Sequence, residues 1–229
     1  MPKEPSCLMN PETVAFYVDD APRKVPGLAD LHRMTMLLLA ERSLAAARIL
    51  VVAAGGGMET KAMAEAQAAW RFTGVDPSPA MLELAHLTLA PFADRVELLE
   101  GTVDEAPAGP FDGATCFFTL HFIERNERLR TLREIRRRLH PDARLVIAHH
   151  SAPQPDPKSW MTRSVAFGDR AELDWSKSAA TGEMMVARLA AVISPAEEED
   201  LLREAGFSDV ALFYAAFSFR GWVATAGPA

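Results

Sequence analysis

The chain is short of several things, and each shortage excludes a class of protein. Cysteine is scarce: 229 residues carry two, Cys7 and Cys116, far apart in sequence. They have no metal-ligand spacing, which argues against a disulfide framework and a cysteine-held metal, and suits a reducing compartment. Long apolar runs are missing as well. No stretch reaches the length of a bilayer span, and the opening "MPKEPSCLMNPET" lacks the apolar core of a secretory signal. We therefore expect a cytoplasmic protein that makes no use of a membrane. Excess basic charge is also absent, for the net charge is −7, whereas a nucleic-acid binder usually carries a basic face. The one basic cluster, "RLRTLREIRRRLH" at 128–140, repeats Leu129, Leu132, Ile135 and Leu139 at helical spacing. That pattern puts the arginines on the other faces of a helix, as a solvated surface. No internal repeat and no low-complexity segment is visible.

What remains is the composition of an ordinary globular domain, 49% apolar and 24% charged. A chain of this length buries a sizeable core without metals or disulfides. Residues 1–46 read as a helical cap, with "PETVAFYVDD" and "GLADLHRMTMLLLAERSL" as helices around the turn "APRKVPG". From residue 48 to 150, apolar strands alternate with helices. The strands are "RILVVAA", "WRFTGVD", "RVELLEG", "FDGATCFFTL" and "ARLVIAHH"; the helices include "METKAMAEAQAA", "SPAMLELAHLTLA" and the arginine-rich segment. Near-continuous apolar strands of this kind indicate a parallel sheet covered on both faces. Residues 151–193 break the alternation and read as a helical insertion after the fifth strand. Residues 194–229 supply a capped helix, "SPAEEEDLLREAGF", and two strands so close together that only a hairpin can join them. The expected fold is α/β: a doubly wound, seven-stranded, mostly parallel sheet with an antiparallel C-terminal strand, in one domain.

Within that pattern, "ILVVAAGGGMET" at 49–60 is the most informative stretch. An apolar strand ends on three glycines and a helix follows, the arrangement that brings backbone N–H groups against a nucleotide or another ribose-bearing ligand. Taken as a dinucleotide fingerprint it is incomplete, since Gly55 and Gly57 fit but Thr60 stands third. A plain tight turn that packs helix on strand accounts for it equally well. Asp76 adds weight. It ends the second strand, 19 residues after Gly57, where an acidic side chain accepts hydrogen bonds from ribose hydroxyls. Ser78, with Pro79 after it, is the better helix cap, which leaves Asp76 for a ligand.

On these residues the chain resembles a class I S-adenosylmethionine (SAM)-dependent methyltransferase from residue 48 onward. "VVAAGGG", "GVDPSPAML", "VELLEGTVDEAP" and "FDGATCFFTLHFI" resemble the family's successive motifs, and "LREIRRRLHPDARLVIAH" and "LLREAGFSDV" its closing elements. The resemblance implies SAM as cofactor, S-adenosylhomocysteine (SAH) as product and a small-molecule methyl acceptor as partner. It implies cofactor contacts from Ala54, Gly55 and Gly57 on the turn, Asp76 and Pro77 at the ribose, Met81, Thr102 and Val103 at the adenine, and Phe118 after the fourth strand. Departures stand beside it: Ala53 where the motif has its first glycine, Val51 in place of an acidic residue, and Thr102 in place of another. Ala53 fits the turn if its φ stays negative, and Val51 leaves the methionine part of SAM to some other group.

Methyl transfer needs a nucleophile held in line with the sulfonium, so positioning alone supplies much of the rate. His121, after the fourth strand, is the candidate base where the acceptor must lose a proton; a histidine bonded to structure is the alternative. His149 and His150 end the fifth strand, and one of them is expected at the pocket. Tyr17, Arg23, His149 and Trp160 are candidate substrate contacts, and no metal site is expected. The cap and the insertion, with Trp160, Met161, Phe167 and Trp175, are expected to meet as a lid over the strand ends near His121. Rival readings are a non-catalytic SAM-binding regulator and a tRNA-modifying enzyme, the latter opposed by the charge. A nicotinamide oxidoreductase lacks the antiparallel closing strand and the "SPAM" run. The sequence leaves oligomeric state open, a homodimer included.

Overall fold

The computed structural model describes residues 16–43, 45–153, 155–170, 173–189 and 192–227. Two helices, α1 (Tyr17–Lys24) and α2 (Leu28–Ala40), precede the first strand. The alternating part is β1 (Arg48–Val52), α3 (Met58–Ala66), β2 (Arg71–Asp76), α4 (Pro79–Leu89), β3 (Val96–Glu100), β4 (Phe111–Phe117), α5 (Arg125–Arg137) and β5 (Leu139–His150). Then come α6 (Pro157–Gly168), α7 (Trp175–Arg188), α8 (Pro195–Glu204), β6 (Phe207–Ala216) and β7 (Phe219–Ala226). The strands form one sheet in the order β3-β2-β1-β4-β5-β7-β6. Strands β1 to β5 pair in parallel, and β7 runs antiparallel to both β5 and β6. The expected sheet and its insertion after β5 are both present.

Alternating side chains explain why helices cover both faces. Leu50, Val52, Cys116, Leu145 and Ile147 point to one face and meet Leu132 and Ile135 of α5 and Leu201 and Leu202 of α8. Ile49, Val51, Val146 and Ala148 point to the other and meet Leu31 and Leu39 of α2 and Met63 of α3. The strand order reverses between β1 and β4, and a crevice opens at the carboxyl ends of strands that part in this way.

Two expectations need correction. Helix α1 runs on to Lys24 with Pro22 inside it, so the turn shrinks to Val25–Gly27, where Gly27 takes φ +64. The start expected at residue 11 lies outside the described residues. The arginines of α5 are not all solvated: Arg128 is wholly buried and Arg138 nearly so. An amphipathic pattern sorts residues by face, but it does not show that another element carries a carboxylate to meet one of them.

Candidate functional site

Each glycine of the turn between β1 and α3 has its own reason. Gly55 and Gly57 have φ +53 and +79, a region where side chains are disfavoured. A Cβ on Gly56 would fall 2.9 Å from Leu84, and one on Gly57 2.9 Å from Leu89. Close packing of α4 across the turn therefore demands two of the three glycines. Ala53 also has positive φ, +58, contrary to the expected negative value, so the turn holds an alanine in a strained conformation.

Gly55 links the turn to the acidic residue. Its N–H donates to Asp76 Oδ2 at 2.8 Å, and the Ser78 N–H donates to Oδ1 at 2.9 Å. Ser78 caps α4 through its hydroxyl, which accepts from the Met81 N–H at 3.3 Å. Burial raises the proton affinity of Asp76, and its two backbone hydrogen bonds oppose that rise. A carboxylate offers about four acceptor positions, so the two in use leave room for a pair of ligand hydroxyls.

Beside the turn, at the carboxyl ends of β1 and β4, lies a small, partly open cavity of about 30 Å³. Ala53 to Gly56 form one wall. Tyr17 and His32, from the N-terminal helices, and Phe117 and Phe118, from the end of β4, face them. Phe118 also has positive φ, +53. Glu59, in the first turn of α3, lines the same space. It is buried, and its carboxylate accepts a short hydrogen bond from the Thr115 hydroxyl on β4. Burial pushes Glu59 up to about 7, against the effect of Thr115. Tyr17 rises to about 12 through burial and then through the neighbouring Glu59 and Asp76, while burial drops His32 to about 4. The cavity therefore combines aromatic walls, a neutral imidazole and one carboxyl group, with no lysine or arginine among the described residues that line it.

The other expected site residues separate. Tyr17, Ala54, Gly55 and Phe118 line the cavity. Met81 is buried beside it, with Cε 3.2 Å from where a Cβ on Gly55 would lie. Pro77 is exposed next to Asp76. Val103 is buried in the core, and the Thr102 hydroxyl caps the turn Val103–Glu105 in a reciprocal pair with Glu105. Arg23 is on the surface of α1. Trp160 is half-buried between the guanidinium groups of Arg163 and Arg220, 4.6 and 5.7 Å from its ring.

His149 is not at the cavity. It is fully buried on the far face of the sheet, with Nε2 3.3 Å from Glu198 Oε2 and its ring over Trp222. His150 is the one that turns toward the insertion, its Nδ1 2.9 Å from the Ser218 hydroxyl, which is 2.6 Å from that of Ser164 on α6. His121 is buried too, and its Nδ1 accepts the His150 N–H at 3.3 Å. Burial and then His150, His149 and Arg128 hold its proton affinity well below that of a free imidazole. With Nδ1 accepting, a neutral ring carries its proton on Nε2, so no free nitrogen is left to act as a base.

The cap and the insertion touch: Gly168, the last residue of α6, packs against Lys24 at the end of α1. Among the described residues no cluster of side chains could hold a metal ion, and no helix is long and apolar enough to cross a membrane. Sequence reasoning overlooked Glu59, His32 and Phe117. An acidic residue in a first helical turn ordinarily answers the helix dipole, which hid Glu59. Its spacing from the glycine turn was the available signal.

The sequence model of a family described as "methyltransferase domain" matches residues 49–142. Over 226 residues, 93% of this chain and 81% of the relative, the sequence is 26% identical to a carboxy-S-adenosyl-L-methionine synthase of Chromohalobacter salexigens. Among solved structures, a putative O-methyltransferase from Nostoc punctiforme superposes with a TM-score of 0.69 at 20% identity over 94% of this chain. Human N-acetylserotonin methyltransferase in complex with SAM superposes with a TM-score of 0.61 at 15% identity, also over 94%. This chain spans 60% and 59% of those two structures, and at such identities the likeness is one of fold.

Proposed function

We propose that the chain is a class I SAM-dependent methyltransferase, a reading supported by its similarity to the methyltransferase-domain family and to the relatives above, and that it binds SAM across the glycine turn and transfers its methyl group to a small molecule. The observation that carries this reading is the hydrogen bond from Gly55 to Asp76, which ties a strand–glycine–helix turn to a buried carboxylate with acceptor capacity left. In this reading Asp76 receives the ribose hydroxyls, with Met81 and Val103 on the adenine side, and the methionine portion lies in the cavity beside Gly55. SAM supplies an electrophilic methyl on a sulfonium, and the protein's share of the work is to orient the acceptor and exclude water. The aromatic side chains Tyr17, Phe117 and Phe118 suit a sulfonium, because ring faces attract cations. His121, whose Nδ1 accepts the His150 N–H, does not act as the base in this reading. Helices α1 and α6, which touch at Lys24 and Gly168, form the cover of the acceptor space.

Incubation with methyl-labelled SAM and a small-molecule extract tests the reading. Label should move into extract components and SAH should accumulate. SAM at about 100 times its dissociation constant should add roughly 2.7 kcal/mol of stability, and NAD none. Stabilisation by NAD alone would contradict the reading.

A second reading has its own observation. The similarity to the carboxy-SAM synthase runs over 93% of the chain, beyond the part the family model matches. Here the ligand of the cavity is carboxy-SAM, the compound in that relative's name. The mass of the ligand that copurifies separates the two: SAM or SAH for the methyltransferase, carboxy-SAM for the synthase.

A further inference from the structure

Glu59 is a buried carboxyl whose described hydrogen-bond partner is a hydroxyl, Thr115 on β4. Thr115 is the partner of Val51 in the β1–β4 register. Glu59 opens on the cavity beside the glycine turn, among Tyr17, His32, Phe117 and Phe118. Among the described residues no cation stands beside this buried acid, and burying an acid without one is costly. Thr115 and Val51 already belong to a continuous strand pairing, and an apolar residue at 59 would fill the same volume. A carboxyl in a cavity walled by aromatic rings is a receptor for a positive charge.

We propose that Glu59 is the counter-ion for the positively charged methionine end of the cofactor, its ammonium or sulfonium, and that binding expels a proton from this side chain. The inference rests on the reading that the cavity takes SAM. It also fills the position that Val51 leaves without an acid at the end of β1.

The groups facing Glu59 constrain the proton count. Tyr17 from α1 keeps its proton at neutral pH, its acidity weakened chiefly by burial, as does Cys116 of β4, which points to the other face of the sheet. His32 from α2 is neutral, held at about 4 by burial. Asp76 from β2 is shifted upward by burial, but it accepts two backbone N–H groups that favour its ionised form. Glu59, at about 7, is therefore the group that changes state when a cation arrives near neutral pH. Below that pH the carboxyl is protonated in the free protein and must release its proton to receive the ligand. Above it the carboxylate is already formed. Affinity then falls as pH drops, by about eightfold from pH 7.5 to 6 for a single linked proton.

The test is calorimetric titration of the full chain with SAM and with SAH at pH 6.5, in two buffers of different ionisation enthalpy. The expected result is release of about three quarters of a proton. Release with both ligands assigns the ammonium as partner, and release with SAM alone assigns the sulfonium. Glu59→Gln, which keeps the shape and can still bond Thr115, should bind more weakly, release no proton and lose the pH dependence. The wild-type titration stands by itself if that variant does not fold. SAM binding with no proton release, or a folded Glu59→Gln protein that releases as much as wild type, overturns this inference and leaves the functional reading intact. Binding of neither ligand overturns both.

Discussion

Two buried glutamates lie on opposite faces of the same sheet, and their surroundings could hardly differ more. Glu198 of α8 meets Arg128 of α5 at 2.7 Å and His149 of β5 at 3.3 Å, all three wholly buried. Burial pushes its carboxyl up, but His149 and Arg128 outweigh burial and the net shift is downward. Glu59 has the Thr115 hydroxyl, and its carboxyl is raised to about 7. The far face pairs its buried carboxylate with a guanidinium from within the chain, although Glu198 Oε1 has no hydrogen-bond partner among the described residues, and so ties two helices to a strand. The cavity face does not. It carries in addition two strained residues, Ala53 and Phe118, both at positive φ. A buried carboxyl with no cation beside it among the described residues, together with backbone strain, marks a surface prepared for a ligand, at the expense of the stability of the free protein.

If that contrast is right, substitutions on the two faces should move stability in opposite directions. On the far face, Arg128→Met leaves Glu198 without its guanidinium and should cost about 3–5 kcal/mol in denaturant unfolding. Adding Glu198→Leu should recover much of that loss, because the uncompensated charge goes with it. Were the single variant neutral, the far face would not depend on its ion pair.

On the cavity face, Glu59→Gln should instead stabilise the ligand-free protein. The folded carboxyl titrates near 7 against an ordinary value of 4.5. Between those two pH values the unfolded chain ionises and the folded one does not, so wild-type stability falls as pH rises through the window. The gain from Glu59→Gln should therefore be absent below about pH 4.5 and complete above about pH 7, on the order of 3 kcal/mol. Melting curves from pH 4 to 8 measure it, and a gain independent of pH would break the argument.

Asp76→Ala sharpens the contrast within the cavity face, since it should affect ligand more than fold. Each ribose hydroxyl loses a charged acceptor worth about 1.5–3 kcal/mol, so SAM affinity should drop at least about tenfold. The Ser78 hydroxyl still caps α4, and the variant should remain folded; unchanged affinity in a folded variant would remove Asp76 from the site. The smallest effect is expected from Ala53→Gly. Relief of the left-handed alanine should raise stability by about 1 kcal/mol, read as a shift in the denaturant midpoint. A loss there would mean that Ala53 is not strained.

The framework of the protein was legible because it depends on local pattern. The apolar strands, the Ser78 and Ser194 caps and the closing hairpin follow from alternation, capping chemistry and short connections, and the structure has all of them. Asp76 was legible for the same reason, as a strand end at a set distance from a glycine turn. What stayed hidden depends on partners distant in sequence. Arg128 looked like one more solvated arginine until α8 brought Glu198 to it, 70 residues later. His149 looked like a pocket residue until the same carboxylate claimed it. His121 looked like a base, and only the folded chain brings the His150 N–H to its Nδ1. Glu59 resembled a residue placed for the helix dipole, and its burial against Thr115 is a property of the sheet.

The central claim is that the cavity face is a SAM site with its ends at Asp76 and Glu59. A crystal structure of the full chain with SAH bound tests it most directly. The account predicts ribose hydroxyls on the Asp76 carboxylate, the ligand ammonium or sulfur on the Glu59 side of the cavity, and open space beside the sulfur under α1 and α6. SAH bound elsewhere, or bound here with packed side chains against its sulfur and no room for an acceptor, would contradict it.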